Sequence, residues 1–164
     1  MSMLRPLLIS LVLTMTGCYI PCADFKGQPC SMRVGEGTCI ILEGDVAERW
    51  VADPSRIYKL LDVSARYWGA EGIEALESYT VKLQDEPVGG GNSGKHWGEC
   101  DAILMSTGAP YQCLEQTALA HEVGHAIVGD HDHKDPRWQS DRLWSLAVEL
   151  SEGVSDCVVS PRWW

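Results

Sequence analysis

Two histidines and a glutamate, His121, Glu122 and His125, have the types and the spacing of residues that hold a metal ion and use it for chemistry. Successive residues of an α-helix are rotated by about 100°, so the histidines lie about 40° apart and Glu122 about 60° beyond His125. Imidazole nitrogens ligate zinc, and a nearby carboxylate can accept a proton from a zinc-activated water. This chemistry suits the hydrolysis of peptide bonds.

The residues around this motif are typical of a buried helix. Leu119, Val123 and Ala126 fall on the side turned away from the two histidines, so one face can bind metal while the other packs. The sequence predicts that this helix begins near Leu114. Catalytic zinc usually has three protein ligands and one open position, so a third ligand must come from elsewhere.

A later segment, residues 150–156, resembles the second motif of the gluzincins, the thermolysin-like class of zincin metallopeptidases. The resemblance implies that Glu152 is the third zinc ligand. It also implies that Asp156 orients His121 by accepting the proton of its second ring nitrogen. Glu152 and Asp156 would lie about 40° apart on one helix face, which is compatible with both roles.

A second candidate for the third ligand is His131, ten residues after His121. This spacing resembles that of the metzincins, in which a glycine turns the chain towards the metal. Here Val128 occupies the usual glycine position, Gly129 follows one residue late, and no methionine follows the motif as it does in that family. The sequence does not identify the group that would stabilise transition-state charge: the candidates are zinc alone or one of four residues, Tyr111, His131, His133 and Arg142.

The beginning of the chain has the pattern of an export signal. A charged start is followed by the apolar run 7–13, which is too short to span a bilayer. Residues 15–18 resemble the lipobox of bacterial lipoproteins. That resemblance implies removal of residues 1–17, lipidation of Cys18 and anchoring in the outer membrane of a Gram-negative cell envelope, with residues 18–36 as a tether.

Cysteine number and charge limit the environment and the partners. Six of the seven cysteines remain when Cys18 is set aside, which permits three disulfides in an exported chain. Fifteen pairings are possible, and the short segment between Cys100 and Cys113 is one that a bridge could close. The net charge of −10 argues against nucleic acid as a partner.

Hydrophobic periodicity predicts the elements that position the motif. A helix follows Asp53 and Pro54 and ends at Gly69, and the glycine-rich residues 89–94 form a hairpin tip or a mobile flap. Strands are predicted at 38–42, 79–83 and 102–105. The order of elements is α+β and resembles a small zincin-like domain over residues 37–164, with a mixed or antiparallel sheet, an active-site helix and a later glutamate-bearing helix.

These features together predict a zinc-dependent peptidase with His121, His125 and Glu152 as ligands and Glu122 as general base. Its substrates would be peptides or proteins, and the zincin resemblance implies that a sheet edge, for which we expect residues 102–105, holds them as an added strand. Two alternatives remain. One is a metzincin-type peptidase that uses His131, and the other is a non-catalytic surface lipoprotein that binds zinc.

Overall fold

The structure is a computed structural model that describes residues 22, 25, 27–45, 54–86, 88, 94–106 and 112–139. It contains five strands and two α-helices with the following bounds: β1 Met32–Val34, β2 Thr38–Glu43, α1 Pro54–Tyr67, β3 Thr80–Gln84, β4 Gly94–Trp97, β5 Ala102–Ser106 and α2 Gln112–Val128. Short 3-10 helices lie at Ile73–Leu76, Gly98–Cys100 and Pro136–Gln139.

The five strands form one mixed sheet with the order β1-β2-β3-β5-β4. Strands β2, β3 and β5 are parallel, while β1 and β4 are antiparallel to their neighbours at the two edges. Helix α1 connects β2 to β3 as the crossover that a parallel pair requires. The predicted α+β class with a mixed sheet is therefore confirmed.

Helix α1 forms where the sequence predicts it. Proline is the first helical residue, a position at which its fixed φ and missing N–H cost nothing. Leu61 and Ser64 are fully buried, and Trp68, the residue after the helix, is only 2% exposed. Gly69 has φ +100°, a conformation that suits glycine and ends the helix.

The predicted alternation in the third strand is also confirmed. Val81 and Leu83 of β3 are buried, and the polar residues that alternate with them, Thr80, Lys82 and Gln84, are partly exposed. Val81 lies between Ile40 of β2 and Ile103 of β5, both fully buried. This apolar row forms the core against which the helices pack.

The N-terminal part of the sheet differs from the prediction. Residues 32–34, predicted as part of the tether, pair with β2 as strand β1. Cys30 is bonded to Cys39 in β2, and Cys22 is bonded to Cys100, so the bridge between Cys100 and Cys113, one of the pairings that the sequence left open, does not form. Disulfides are typical of proteins exported to an oxidising compartment. No helix among the described residues is long and apolar enough to cross a membrane.

Helices α1 and α2 pack closely at Gly124, which lies between His121 and His125 in the sequence. A Cβ atom at Gly124 would lie 2.5 Å from Trp138 Cη2 and 2.5 Å from Trp68 Cε2. The indole of Trp68 also donates a hydrogen bond of 2.7 Å to the carbonyl oxygen of Ala120. The position of α2, and therefore of its histidines, is set by direct contact with these two rings.

We expect Gly124→Ala to destabilise the protein by about 1–3 kcal/mol, because the new methyl group overlaps two indole rings that are themselves packed. Helix propensity alone would produce the opposite sign, a stabilisation of about 1 kcal/mol. Urea unfolding measures which effect dominates. A variant as stable as the wild type, or more stable, would contradict the packing described here.

Candidate metal centre

The Nε2 atoms of three histidines converge on one point. Nε2 of His125 lies 3.1 Å from Nε2 of His121, and Nε2 of His133 lies 3.3 Å from each of them. These three side chains form a group that could hold a metal ion, and we refer to them as the three-histidine group. His121 and His125 project from α2, and His133 projects from the segment that follows it.

The spacing of the three nitrogens matches a tetrahedral metal site. Zinc binds imidazole nitrogen at about 2.0–2.1 Å, so two ligands of a regular tetrahedron lie about 3.3–3.4 Å apart. The observed separations of 3.1–3.3 Å are close to that value. Three imidazole nitrogens at this spacing leave one tetrahedral position that none of the described residues fills.

The ring of Trp138 packs against all three members of the group. Its centroid lies 4.8 Å from that of His121 and 4.7 Å from those of His125 and His133. Trp138 also packs on Trp68 at 4.2 Å and is 7% exposed. Trp138 is part of the hydrophobic core, and the same ring limits how the imidazoles can rotate.

A backbone carbonyl orients His125. The Nδ1–H of His125 donates a hydrogen bond of 3.0 Å to the carbonyl oxygen of Asp130. In a neutral imidazole this assignment leaves the lone pair on Nε2, the atom directed at the other two histidines. Partners of this kind fix the tautomer and the ring orientation of metal-ligating histidines.

The turn that presents His133 is organised by the carboxylate of Asp130. Its Oδ1 accepts a hydrogen bond from the backbone N–H of Asp132 at 3.0 Å, and its Oδ2 accepts one from Asp135 at 2.7 Å. These backbone donors lower the pKa of Asp130, the bond from Asp135 most of all. Gly129 has φ +67° and ends α2, while His133 has φ +54°, a left-handed conformation that a non-glycine residue rarely adopts.

The far end of this turn is anchored to α1. Arg137 forms two hydrogen bonds with the carboxylate of Asp135, at 3.0 and 2.6 Å, and a third with the carbonyl oxygen of Trp68. Tyr67 donates a hydrogen bond of 3.0 Å to the carbonyl oxygen of Arg137. The segment that carries His133 is therefore held at both ends, by α2 and by the end of α1.

The electrostatic surroundings favour the neutral form of the two histidines on α2, His121 and His125. Burial, reinforced by the neighbouring imidazoles, lowers the pKa of His121 to about 3. Burial also lowers the pKa of His125 from its ordinary value. The neutral form is the one that binds metal, so His121 and His125 need no deprotonation at neutral pH.

Glu122 is buried beside the group, with 7% of its surface exposed, under strand β4. Burial raises its pKa to about 7, partly offset by a hydrogen bond from the backbone N–H of His96. A Cβ atom at Gly94 would lie 2.8 Å from Glu122 Cγ and 3.0 Å from its Oε1. The carboxyl group thus reaches its position only because the facing residue of β4 is glycine.

All five histidines of the chain lie in this region. The ring of His131 stacks on that of His125, with centroids 5.0 Å apart, and on that of His96 at 5.5 Å. Nε2 of His96 lies 3.3 Å from the hydroxyl of Tyr79, and burial lowers the pKa of His96 to about 4. His131 and His96 therefore line the site without belonging to the three-histidine group.

The structure brings together His121, Glu122 and His125 as the sequence analysis expects, and it adds His133 rather than His131 to the histidine pair. The spacing of the motif did not predict His133 as the third member of the histidine group, and it did not predict His96 near the site at all. One feature of the sequence could have indicated the role of His133. Gly129 comes one residue later than the glycine of the metzincin pattern, and this lengthens the turn after α2. The predicted ligand Glu152, its partner Asp156, the candidates Tyr111 and Arg142, and the lipidation site Cys18 lie outside the described residues.

Comparison of the chain with protein-family models, with curated proteins and with solved structures gives no significant match.

We expect His133→Ala to weaken the binding of zinc by more than about 100-fold, because it removes one of three converging nitrogens and not merely a supporting contact. His131→Ala is the matched control, since it removes an imidazole two residues away that is not in the group, and we expect a change of less than about threefold. Competition with a chromophoric chelator measures both affinities. If His131→Ala were the damaging variant, the metzincin-type arrangement would be the correct one; a comparable loss in Glu152→Gln would support the gluzincin type.

We expect Asp130→Ala to weaken zinc binding by about 10- to 100-fold, because the turn that presents His133 loses its backbone hydrogen bonds to the carboxylate. Asp132→Ala is a control of equal charge change. The carboxylate of Asp132 forms an exposed ion pair with Lys134, and such pairs contribute about 0–1 kcal/mol; the backbone N–H of Asp132, which bonds to Asp130, is kept in this variant. Equal affinities in the two variants, measured by the same chelator competition, would show that total charge and not turn geometry controls binding.

Proposed function

We propose that this protein is a zinc-dependent hydrolase that cleaves peptide bonds, with His121, His125 and His133 as zinc ligands and Glu122 as general base. The observation that carries the proposal is the triangle of Nε2 atoms at 3.1–3.3 Å beside a buried carboxyl group on the same helix. Structural zinc sites are almost always closed by four protein ligands. A three-nitrogen site next to a carboxyl group of raised pKa has the composition of a catalytic one.

The choice of zinc follows from the donor set. Three neutral imidazoles at tetrahedral spacing suit a borderline ion with no geometric preference of its own, whereas magnesium and calcium require oxygen ligands. Copper and nickel also bind imidazole, but they favour square-planar or tetragonal arrangements. When bound, zinc would supply Lewis-acid chemistry, lowering the pKa of water and polarising a substrate carbonyl.

Glu122 would move the proton that hydrolysis requires. A carboxylate with a pKa near the working pH can accept a proton from the attacking water and return it to the nitrogen of the departing amine. Its burial excludes competing bulk water from the carboxylate. The N–H of His96 holds one side of this group, which orients it for the transfer.

A peptide substrate is supported by the sheet edge next to the site. Residues 102–105, predicted as the exposed edge, belong to β5, which is paired on both sides by β3 and β4; that prediction is wrong. The edge beside Glu122 is β4, which pairs only with β5 among the described strands. An extended peptide can add to such an edge through main-chain hydrogen bonds.

The cellular location belongs to the same proposal. The two disulfides support an extracytoplasmic place of action, where peptides and proteins of the cell envelope would be the substrates. We place the protein on the outer membrane of a Gram-negative cell through a lipid on Cys18, as its lipobox-like residues imply. Labelling of Cys18 by radioactive palmitate in growing cells, and loss of that label in Cys18→Ser, tests the anchor.

We expect Glu122→Gln to reduce kcat for peptide cleavage by about 100- to 10,000-fold while one zinc ion per chain remains bound, because the amide cannot accept a proton. Hydrolysis of a fluorogenic peptide library by zinc-loaded protein measures the rate, and atomic absorption measures the metal. Glu99→Gln, an exposed carboxylate of the 3-10 helix that follows β4, is the matched control and should keep full activity. Unchanged cleavage in Glu122→Gln would remove this base, and absence of cleavage by wild-type protein with bound zinc would favour a non-catalytic zinc-binding protein.

A further inference from the structure

Strand β4 has two faces with different partners. Side chains alternate along a strand, so Gly94 and His96 share one face while Lys95 and Trp97 share the other. The close approach of Gly94 to Glu122 shows that the first face is turned towards α2. His96 agrees with this assignment, since its ring stacks with His125 of α2 at 6.2 Å.

The N-terminal part of the chain packs on the second face of β4 at Trp97. The ring of Phe25 packs on that of Trp97 with centroids 5.3 Å apart, and Phe25 is only 5% exposed. Lys95 adds its ammonium group 4.9 Å from the centre of the same Trp97 ring. An N-terminal residue, distant in sequence, is therefore part of the packing that holds the edge strand.

A covalent bond fixes the same N-terminal part of the chain to the end of this strand. Cys22 is bonded to Cys100, three residues after Trp97, with Cα atoms 5.3 Å apart. The bridge joins positions 78 residues apart in the sequence, and Cys22 itself is 8% exposed. Cys22 and Phe25 together form what we call the clamp.

The clamp matters because β4 is a short strand at the edge of the sheet. The strand has four residues and pairs with a single described neighbour, β5, at the edge of the sheet. Short edge strands are the parts of a sheet that open most easily. A small outward movement of β4 would break the hydrogen bond from His96 N–H to Glu122 and would release the contact at Gly94.

We propose that Cys22 and Phe25 are positioning residues for Glu122: they hold β4 from the face opposite α2, and β4 in turn fixes the carboxyl group. This inference rests on the proposed function for its consequence in catalysis. The ligands of the three-histidine group come from α2 and the turn after it, which the clamp does not touch in the contacts described above. The clamp therefore controls the rate of the reaction and not the binding of metal.

The test compares two variants that each lack one disulfide, and two substitutions of Phe25, in the full chain loaded with zinc. Cys22→Ser/Cys100→Ser removes the clamp bond, and Cys30→Ser/Cys39→Ser removes the bridge between β2 and the residues before β1, at the opposite side of the sheet. Phe25→Ala removes only the packing on Trp97 and keeps both bridges, while Phe25→Tyr keeps the ring. All are measured at a temperature at which each variant is folded.

We expect the amide of His96 to exchange with deuterium at least about tenfold faster in Cys22→Ser/Cys100→Ser and in Phe25→Ala than in wild type, since local opening governs exchange. Because misplacement of a catalytic group by about 1 Å can cost 100-fold, we expect kcat to fall by about 10- to 100-fold, with KM changed less and one zinc per chain retained. Phe25→Tyr should restore both quantities, and Cys30→Ser/Cys39→Ser should change neither.

The inference is overturned if exchange at His96 is unchanged in both clamp variants, or if Cys30→Ser/Cys39→Ser produces the same changes, which would indicate general destabilisation. Loss of bound zinc in Phe25→Ala would overturn it as well. If wild-type protein cleaves no peptide, the proposed function fails, but exchange at His96 still decides whether the clamp positions the strand.

Discussion

The convergence of three imidazole nitrogens within 3.3 Å of one another is the constraint on which the rest of this structure depends. Three lone pairs directed at one point repel each other unless a cation lies between them, so the surrounding structure must enforce the arrangement. A helix can supply only two of the nitrogens at this spacing, His121 and His125. The third, from His133, needs a turn with an unusual backbone, and that turn is held by Asp130 and by its anchor on α1.

Burial shifts the pKa of an imidazole and the pKa of the carboxyl group in opposite directions, and both shifts prepare the site for a metal ion. Removing water lowers the pKa of His121 and raises that of Glu122, because the charged form is disfavoured in each case. Imidazoles become ready to bind a cation without losing a proton. A cation bound there would favour the carboxylate form of Glu122, so the base would become available when the metal arrives.

Local periodicity was sufficient to predict those parts of the fold that depend on local signals. Helix α1, with proline at its start and Gly69 at its end, and β3, with its strict alternation, follow the sequence closely. Strand β4 was missed because its inward residues are Gly94 and His96, which the contact with Glu122 and the histidine stack require. No apolar alternation marks such a strand.

The remaining errors arise from contacts between distant segments. His133 joins the three-histidine group because of a turn whose shape is set by hydrogen bonds between a side chain and the backbone. The spacing of the motif carries no information on these bonds. The partner of Cys100 is 78 residues away, one choice among fifteen pairing schemes that cysteine number alone leaves equal. Glu152 remains a prediction for residues that the structure does not describe.

Because all five histidines of the chain lie in one region, their signals report on that region alone. The five histidines are numbers 96, 121, 125, 131 and 133, and each lies within one ring contact of another member. In a proton magnetic resonance spectrum, their ring carbon-bound protons would all come from this region. Line shape and chemical shift of those few signals would follow events there without any label, and every histidine that an imidazole-directed reagent modifies would lie in this region.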